Sequence, residues 1–317
     1  MLHVIHMIKL FSGTANPELT QEVAKLLNLP ISKAEVIRFG NSEAKVTIQE
    51  DVRGGTAIVI QSTCNPTDVN LMELAFFADA LKRSEAQKII AVVPYFGYSR
   101  QNEQHRPGEC VSMHVVVKLL EQVGYDEIIT FELHEAASAG VFSVPFNNVS
   151  MNSLLVDAIK KYTKNELKVE TTAFVAPDYE ATERTRKFGE AFFPGVECEV
   201  AVTEKKRNLD AIHETKVENL YGDVNNKTVI IVDDVATSGG TLIHSAEMCL
   251  AKGATKVFAA ITHADFNVGI PEKLQNSPIE RIFAGNTIPL KEDKLFPKLE
   301  VISIAPTLAE ELKKYLS

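Results

Sequence analysis

Two adjacent carboxylates, Asp233 and Asp234, end the apolar run Val229-Ile-Ile-Val and are followed, after Val235, by Ala-Thr-Ser-Gly-Gly-Thr, residues 236–241. Carboxylates do not bind phosphate, but they accept hydrogen bonds from sugar hydroxyls, and the charge strengthens those bonds. The loop offers the complement, because backbone N–H groups and hydroxyls at a helix N-terminus surround a phosphate. Gly239 and Gly240 let the backbone come close. A phosphorylated sugar satisfies both halves, with its diol on the acids and its phosphate on Thr237, Ser238, Gly239, Gly240 and Thr241. The plainer alternative is an ordinary strand-to-helix junction whose acids act only as turn and cap residues.

The elements that must position this stretch occur twice. Residues 57–95 and residues 228–263 each read as an apolar strand, a loop of Thr, Ser, Asn or Gly, a helix and a second apolar strand. Leu71, Leu74, Ala75 and Ala78 mark one helix face, and Leu242, Ala246, Cys249 and Leu250 the other, whose helix is expected to start near Leu242. The match extends upstream. MIKLFSGTANPELTQEVAKLLN and TTAFVAPDYEATERTRKFGEAF both read strand, turn, helix, and each is followed by two alternating strands around a polar loop. Continuous Val/Ile runs with helical crossovers require a parallel sheet covered on both faces. Two α/β domains of similar topology follow, over residues 1–150 and 151–317, with a helical crossover in the stretch 146–170. Two unrelated generic β-α-β units are the alternative. In either case the acids lie at the carboxyl edge of a sheet, where ligands of such folds sit.

Composition excludes several classes. A hydrophobic content of 45% with 24% charged residues is that of a globular protein, and the longest apolar runs are far too short to cross a bilayer. The start, MLHVIHMIKLFSG, has neither a basic n-region nor a small-residue cleavage site, so a cytoplasmic protein without a membrane partner is expected. The four cysteines are widely spaced and form no C-x-x-C pair, which favours free or buried thiols. A net charge of −9 argues against a nucleic-acid partner and leaves room for an anionic substrate held by local cations.

VIIVDDVATSGGT resembles the phosphoribosyl pyrophosphate motif of the type I phosphoribosyltransferase fold. With IKLFSGTANPEL, QSTCNPTDVNLMELAFFADALKR, VVPYFGYSRQ, FELH and SIAPTLAEEL, nearly the whole chain is similar to the ribose-phosphate pyrophosphokinase (phosphoribosyl pyrophosphate synthetase) family. The resemblance implies two tandem type I phosphoribosyltransferase-like domains and transfer of the β,γ-pyrophosphoryl group of ATP to the 1-hydroxyl of ribose 5-phosphate. It implies that Asp233, Asp234 and Thr237–Thr241 bind ribose 5-phosphate. Phe39, Asn41, Ser42 and Glu43 of FGNSE, with Arg100 and Gln101, would bind ATP; read alone, FGNSE is a polar hairpin turn. His134 and Asp178 match the family's magnesium positions, and Mg²⁺ favours the carboxylate over the imidazole. Read alone, His134 at the end of an apolar strand is equally a structural histidine.

Lys205 and Arg207 match the family's catalytic loop, and the chemistry needs cations over the transferring phosphoryl oxygens; read alone, KKR is a solvated turn. Homo-oligomers, dimers or hexamers, are the family's habit. This sequence departs from the family pattern at Asn102 after Arg100-Gln101, in EQHRPGE, at Tyr179-Glu180 after Asp178, and after His134. EQHRPGE lacks the basic run of phosphate-regulated members, which counts against regulation by phosphate and ADP. A phosphoribosyltransferase and a non-catalytic regulatory relative of the synthetase are the competing readings.

Overall fold

In the computed structural model, residues 8–207 and 215–316 are described, with side chains described for 8–204 and 219–316. The chain divides into two compact units.

The first unit runs through β1 (Ile8–Ser12), α1 (Pro17–Leu27), β2 (Ala34–Arg38), β3 (Ala44–Ile48), β4 (Thr56–Ile60), α2 (Thr67–Arg83), β5 (Lys88–Val93), α3 (Ser112–Val123), β6 (Glu127–Phe131) and β7 (Phe146–Val149). Its five-stranded sheet has the order β1-β4-β5-β6-β7, every pairing parallel. β2 and β3 form a separate antiparallel hairpin. Helix α1 starts where Asn16 caps the Leu19 amide and Pro17 opens the first turn, since Pro lacks only an N–H that would be unpaired there. The expected face of α2, Leu71, Leu74, Ala75 and Ala78, is buried against the sheet, each Leu contributing about 1.5–3 kcal/mol.

The second unit runs through α4 (Asn152–Tyr162), β8 (Thr172–Ala176), α5 (Thr182–Phe192), β9 (Val200–Arg207), β10 (Thr215–Tyr221), β11 (Thr228–Ala236), α6 (Gly240–Ala251), β12 (Lys256–Ala264), α7 (Ile270–Gln275), β13 (Arg281–Gly285) and β14 (Leu299–Ile302). Its sheet has the order β10-β9-β8-β11-β12-β13-β14, parallel except for β10 against β9. Without the β9-β10 hairpin, the order repeats that of the first unit strand for strand. The duplication read from the sequence is therefore present, with one difference: the second hairpin joins its sheet through β9 and β8. Leu242, Ala246 and Cys249 are buried as expected, and Leu250 packs partly buried beside them.

Three expectations need correcting. Helix α6 begins at Gly240 rather than near Leu242, because Gly239 adopts the left-handed turn that starts it. The chain's end does not follow the expected 151–317 boundary. Thr287–Pro289 and the residues from Ser303 onward belong to the first unit, where α8 (Ala305–Lys313) packs on α1. The apolar stripe of α8, Ala305, Leu308, Ala309 and Leu312, is buried there. Phe146–Val149, inside the stretch read as a crossover, is the edge strand of the first sheet, and the expected helix is α4.

All four cysteines are free thiols. Among the described residues no helix is long and apolar enough to cross a membrane.

Candidate active site

The acid pair is set by unequal strand lengths. β11 pairs with β8 only as far as Ile231 opposite Val175, but with β12 as far as Ala236 opposite Ala264. Asp233 and Asp234 therefore lie inside β11, where β8 no longer covers it, and not at a strand end as expected. The gap is met by the β8–α5 junction. Arg184 of α5 places Nη1 3.2 Å from Asp234 Oδ1 and 3.8 Å from Asp233 Oδ1. The Asp234 amide donates to Asp233 Oδ1 at 2.9 Å. In the same junction, Asp178 Oδ1 accepts from the Ala181 amide at 3.0 Å, which closes a tight turn into α5.

This crowding has an electrostatic consequence. Burial, then the neighbouring charge of Asp234, hold the Asp233 carboxyl well above its ordinary range; Asp178 adds to the effect and Arg184 offsets part of it. Like carboxylates in a solvent-poor site disfavour each other's ionisation. The pocket is thus built to be relieved by hydroxyl donors or by added positive charge.

The expected phosphate loop follows directly. After Ala236 the chain turns through Thr237 and the exposed Ser238 to Gly239, whose φ is +67°. That left-handed value suits glycine, and a Cβ there would come within 3.1 Å of Ile270 and 3.2 Å of Leu274. Thr237 O accepts from the Asn267 amide at 3.0 Å, anchoring the loop to the chain after β12. The first-turn amides of α6, which have no acceptor within their own helix, are thus presented beside the acids. Asp233, Asp234, Thr237–Thr241 and Asp178 are brought together at one sheet edge.

The equivalent junction of the first unit, after β4, is filled by its own side chains. Glu73, 1% exposed, accepts from the Thr14 amide at 2.7 Å, from Thr14 Oγ1 at 2.6 Å and from Gln61 Nε2 at 3.1 Å. Gln61 Oε1 accepts from the Ala15 amide at 3.0 Å, and Thr63 Oγ1 from the Gly97 amide at 2.7 Å. Gly13 leaves the room this needs, since a Cβ there would fall 2.1 Å from Gln61 Oε1. A satisfied buried network has no use for a ligand. The two copies have diverged where they are most alike in topology.

The expected ATP residues occupy other parts of the first unit. Phe39, Asn41, Ser42 and Glu43 form the exposed tip of the β2–β3 hairpin. There the Ser42 amide donates to Phe39 O at 2.9 Å, and Asn41 Oδ1 accepts from the Glu43 amide at 3.2 Å. Phe39 is 48% exposed. Arg100 and Gln101 are exposed after a turn in which Tyr98 has φ +69°, and Gln101 Oε1 accepts from Ser112 Oγ at 2.6 Å. His134 is half-buried beyond the end of β6. Asn102, one of the departures from the family pattern, donates to Glu135, another, and to Ser138 Oγ at 3.2 Å.

Lys205 and Arg207 lie on β9, paired with Val217 and Thr215 of β10; their side chains fall outside those described. Just before them, Glu204 accepts from Tyr221 Oη at 2.9 Å and Asn219 Nδ2 at 3.2 Å. The Tyr179 and Tyr221 rings lie 6.5 Å apart, which links the turn after Asp178 to the base of the β9–β10 hairpin.

For a cation, the second unit offers the right donor chemistry. Asp178 is a half-exposed oxygen donor beside an acid pair under like-charge pressure. Among the described residues no group of three or more His, Cys, Asp or Glu is arranged to hold a metal ion, so a hard dication here would draw its other ligands from water and substrate oxygens, as Mg²⁺ does.

Sequence reading missed Arg184 and the Tyr179–Tyr221–Glu204 link. Arg184 carried a signal: a cation in the first turn of a helix opposes the helix dipole and calls for a carboxylate nearby. The aromatic link carried none, because it joins residues on separate elements.

The chain is similar to known proteins over nearly its whole length. A family model described as the N-terminal domain of ribose phosphate pyrophosphokinase matches residues 8–124, and one described as a phosphoribosyl synthetase-associated domain matches residues 175–316. The chain is 37% identical to a ribose-phosphate pyrophosphokinase of Wolinella succinogenes, with 96% of this chain and 95% of that protein covered. It is 38% identical to one of Burkholderia pseudomallei, with 97% and 94% covered. Among solved structures it is similar to a phosphoribosylpyrophosphate synthetase from Mycobacterium smegmatis, at 33% identity and a TM-score of 0.88 over 96% of this chain and 97% of that one.

Proposed function

The chain belongs to the ribose-phosphate pyrophosphokinase family, and from that premise we propose that it transfers the β,γ-pyrophosphoryl group of ATP to the 1-hydroxyl of ribose 5-phosphate. The observation that carries the reading is the β11–α6 junction, where a carboxylate pair adjoins a glycine-turned helix N-terminus.

In this reading Asp233 and Asp234 accept hydrogen bonds from the ribose hydroxyls, while Thr237–Thr241 hold the 5-phosphate through amides and hydroxyls. Phe39, Asn41, Ser42 and Glu43, with Arg100 and Gln101, bind ATP. The ribose 1-hydroxyl oxygen forms a bond to the β-phosphorus. The bond between that phosphorus and the oxygen bridging to the α-phosphorus breaks, AMP leaves and the hydroxyl proton is released. Little acid–base work is asked of the side chains. Holding the hydroxyl in line with the phosphorus supplies much of the acceleration, and Lys205 and Arg207 stabilise charge on the transferring oxygens. Asp178 in the second unit and His134 in the first would each offer a metal donor, and Mg²⁺, when bound with the triphosphate, supplies charge neutralisation.

The reading extends to a cytoplasmic homo-oligomer, dimer or hexamer, testable by sedimentation. The functional test is AMP formation by the purified protein with ATP and Mg²⁺. AMP that appears only when ribose 5-phosphate is added supports the reading; AMP formation indifferent to the sugar sinks it.

A further inference from the structure

Arg184 is the third residue of α5, after Thr182 and Glu183, where a cation faces the positive end of the helix dipole. What holds it there is the acid pair. Its Nη1 lies 3.2 Å from Asp234 Oδ1 and 3.8 Å from Asp233 Oδ1, with side-chain exposures of 14%, 4% and 14% for Arg184, Asp234 and Asp233. Asp233 Oδ1 also accepts the Asp234 amide at 2.9 Å. The same Nη1 thus faces Oδ1 of both carboxylates, as a close ion pair with Asp234 and a longer one with Asp233, from a group that arrives from a different strand-to-helix junction.

Resting on the reading that this pair binds the sugar, we infer that Arg184 is a positioning residue for ribose 5-phosphate. Two adjacent carboxylates in a solvent-poor site repel each other, and Asp233 is tied through its bond from the Asp234 amide. A single guanidinium between them neutralises half the charge and selects one rotamer for each. The diol then meets acceptors already in place, and its binding is not taxed by ordering them. Arginine suits this better than lysine, because the guanidinium keeps its charge in a buried site and is rigid and planar, while an ammonium on a flexible stem loses its proton readily when buried. Arg184 touches no reacting atom in this scheme. It acts through the acids, so its loss must register on the sugar and not on ATP.

The test is steady-state kinetics on the full-length protein with both substrates varied, for wild type, Arg184→Gln and Arg184→Lys. Arg184→Gln is expected to raise the ribose 5-phosphate KM by about 30-fold or more, as removal of one partner from a buried charge pair does, with the ATP KM unchanged within about two-fold. Arg184→Lys recovers part of the loss. In a double-mutant cycle, Asp234→Asn costs less in the Arg184→Gln background than in wild type. A purely structural role predicts a lower Tm with both KM values unmoved. A ribose 5-phosphate KM within about two-fold of wild type in either folded variant overturns the inference. If Arg184→Gln does not fold, Arg184→Lys decides alone, an unmoved sugar KM counting against the role. Wild-type protein that makes no sugar-dependent AMP removes the functional reading, and this inference with it. Wild-type activity with an unmoved KM removes only the inference.

Discussion

Asp233 stands opposite Ile261 in the parallel ladder of β11 and β12, and that ladder continues to Ala236 opposite Ala264. The acid pair is thus held by the backbone of a rigid strand on one side, while on the other β8 has already ended at Ala176. Groups built on strands are placed more precisely than groups on loops, and the missing length of β8 is what opens them to a ligand.

The glycine that turns the chain from this strand into α6 is open to direct test. Gly239→Ala puts a Cβ on a left-handed residue and against Ile270 and Leu274 at 3.1–3.2 Å. The left-handed conformation alone costs about 1–2 kcal/mol. Thermal denaturation is expected to show a loss of at least that size, with a raised ribose 5-phosphate KM. A variant as stable as wild type and with its KM would mean the loop geometry is not required.

The raised Asp233 carboxyl predicts a pH dependence. Burial, then Asp234, raise the folded-state pKa above the unfolded one, so the folded chain binds this proton more tightly. Its contribution to stability is complete below the ordinary carboxylate range, near pH 4, and is lost as pH rises through the raised folded value. Asp233→Asn abolishes that loss. The Tm of wild type without ligand should therefore fall more steeply than that of Asp233→Asn as pH rises from about 4. Parallel curves would argue that Asp233 is ionised like an ordinary carboxyl.

Thiol labelling separates the four cysteines. Cys110 is exposed, whereas Cys64 and Cys249 are buried, and burial pushes the Cys249 thiol up to about 12. The thiolate is the reactive form. An aromatic disulfide reagent at pH 8 should modify Cys110 rapidly and leave Cys249 untouched until denaturant is added. Early labelling of Cys249, located by peptide mapping, would contradict its packing in the second core.

Lys205→Ala tests the cationic role assigned to β9. Loss of one preorganised stabilising group is expected to lower kcat by about 100-fold or more, with little change in Tm. A variant of normal turnover removes Lys205 from the mechanism.

What the sequence determined by itself was everything carried by local pattern. Val229–Val232 announce a buried strand, Leu71, Leu74, Ala75 and Ala78 a helix face, and their recurrence a duplicated sheet. Thr237–Thr241 announce an anion-binding turn, because strand, helix and turn chemistry are settled within a few residues. Tertiary structure alone decided what depends on contacts distant along the chain. The relative lengths of β8 and β11 place the acids inside a strand. Arg184 finds Asp233 and Asp234 across two junctions. Gln61 and Glu73 close off the first copy's junction against Thr14, and α8 returns to pack on α1. Such pairings leave no periodic trace, since each partner reads alone as an ordinary polar or apolar residue until packing brings the two together.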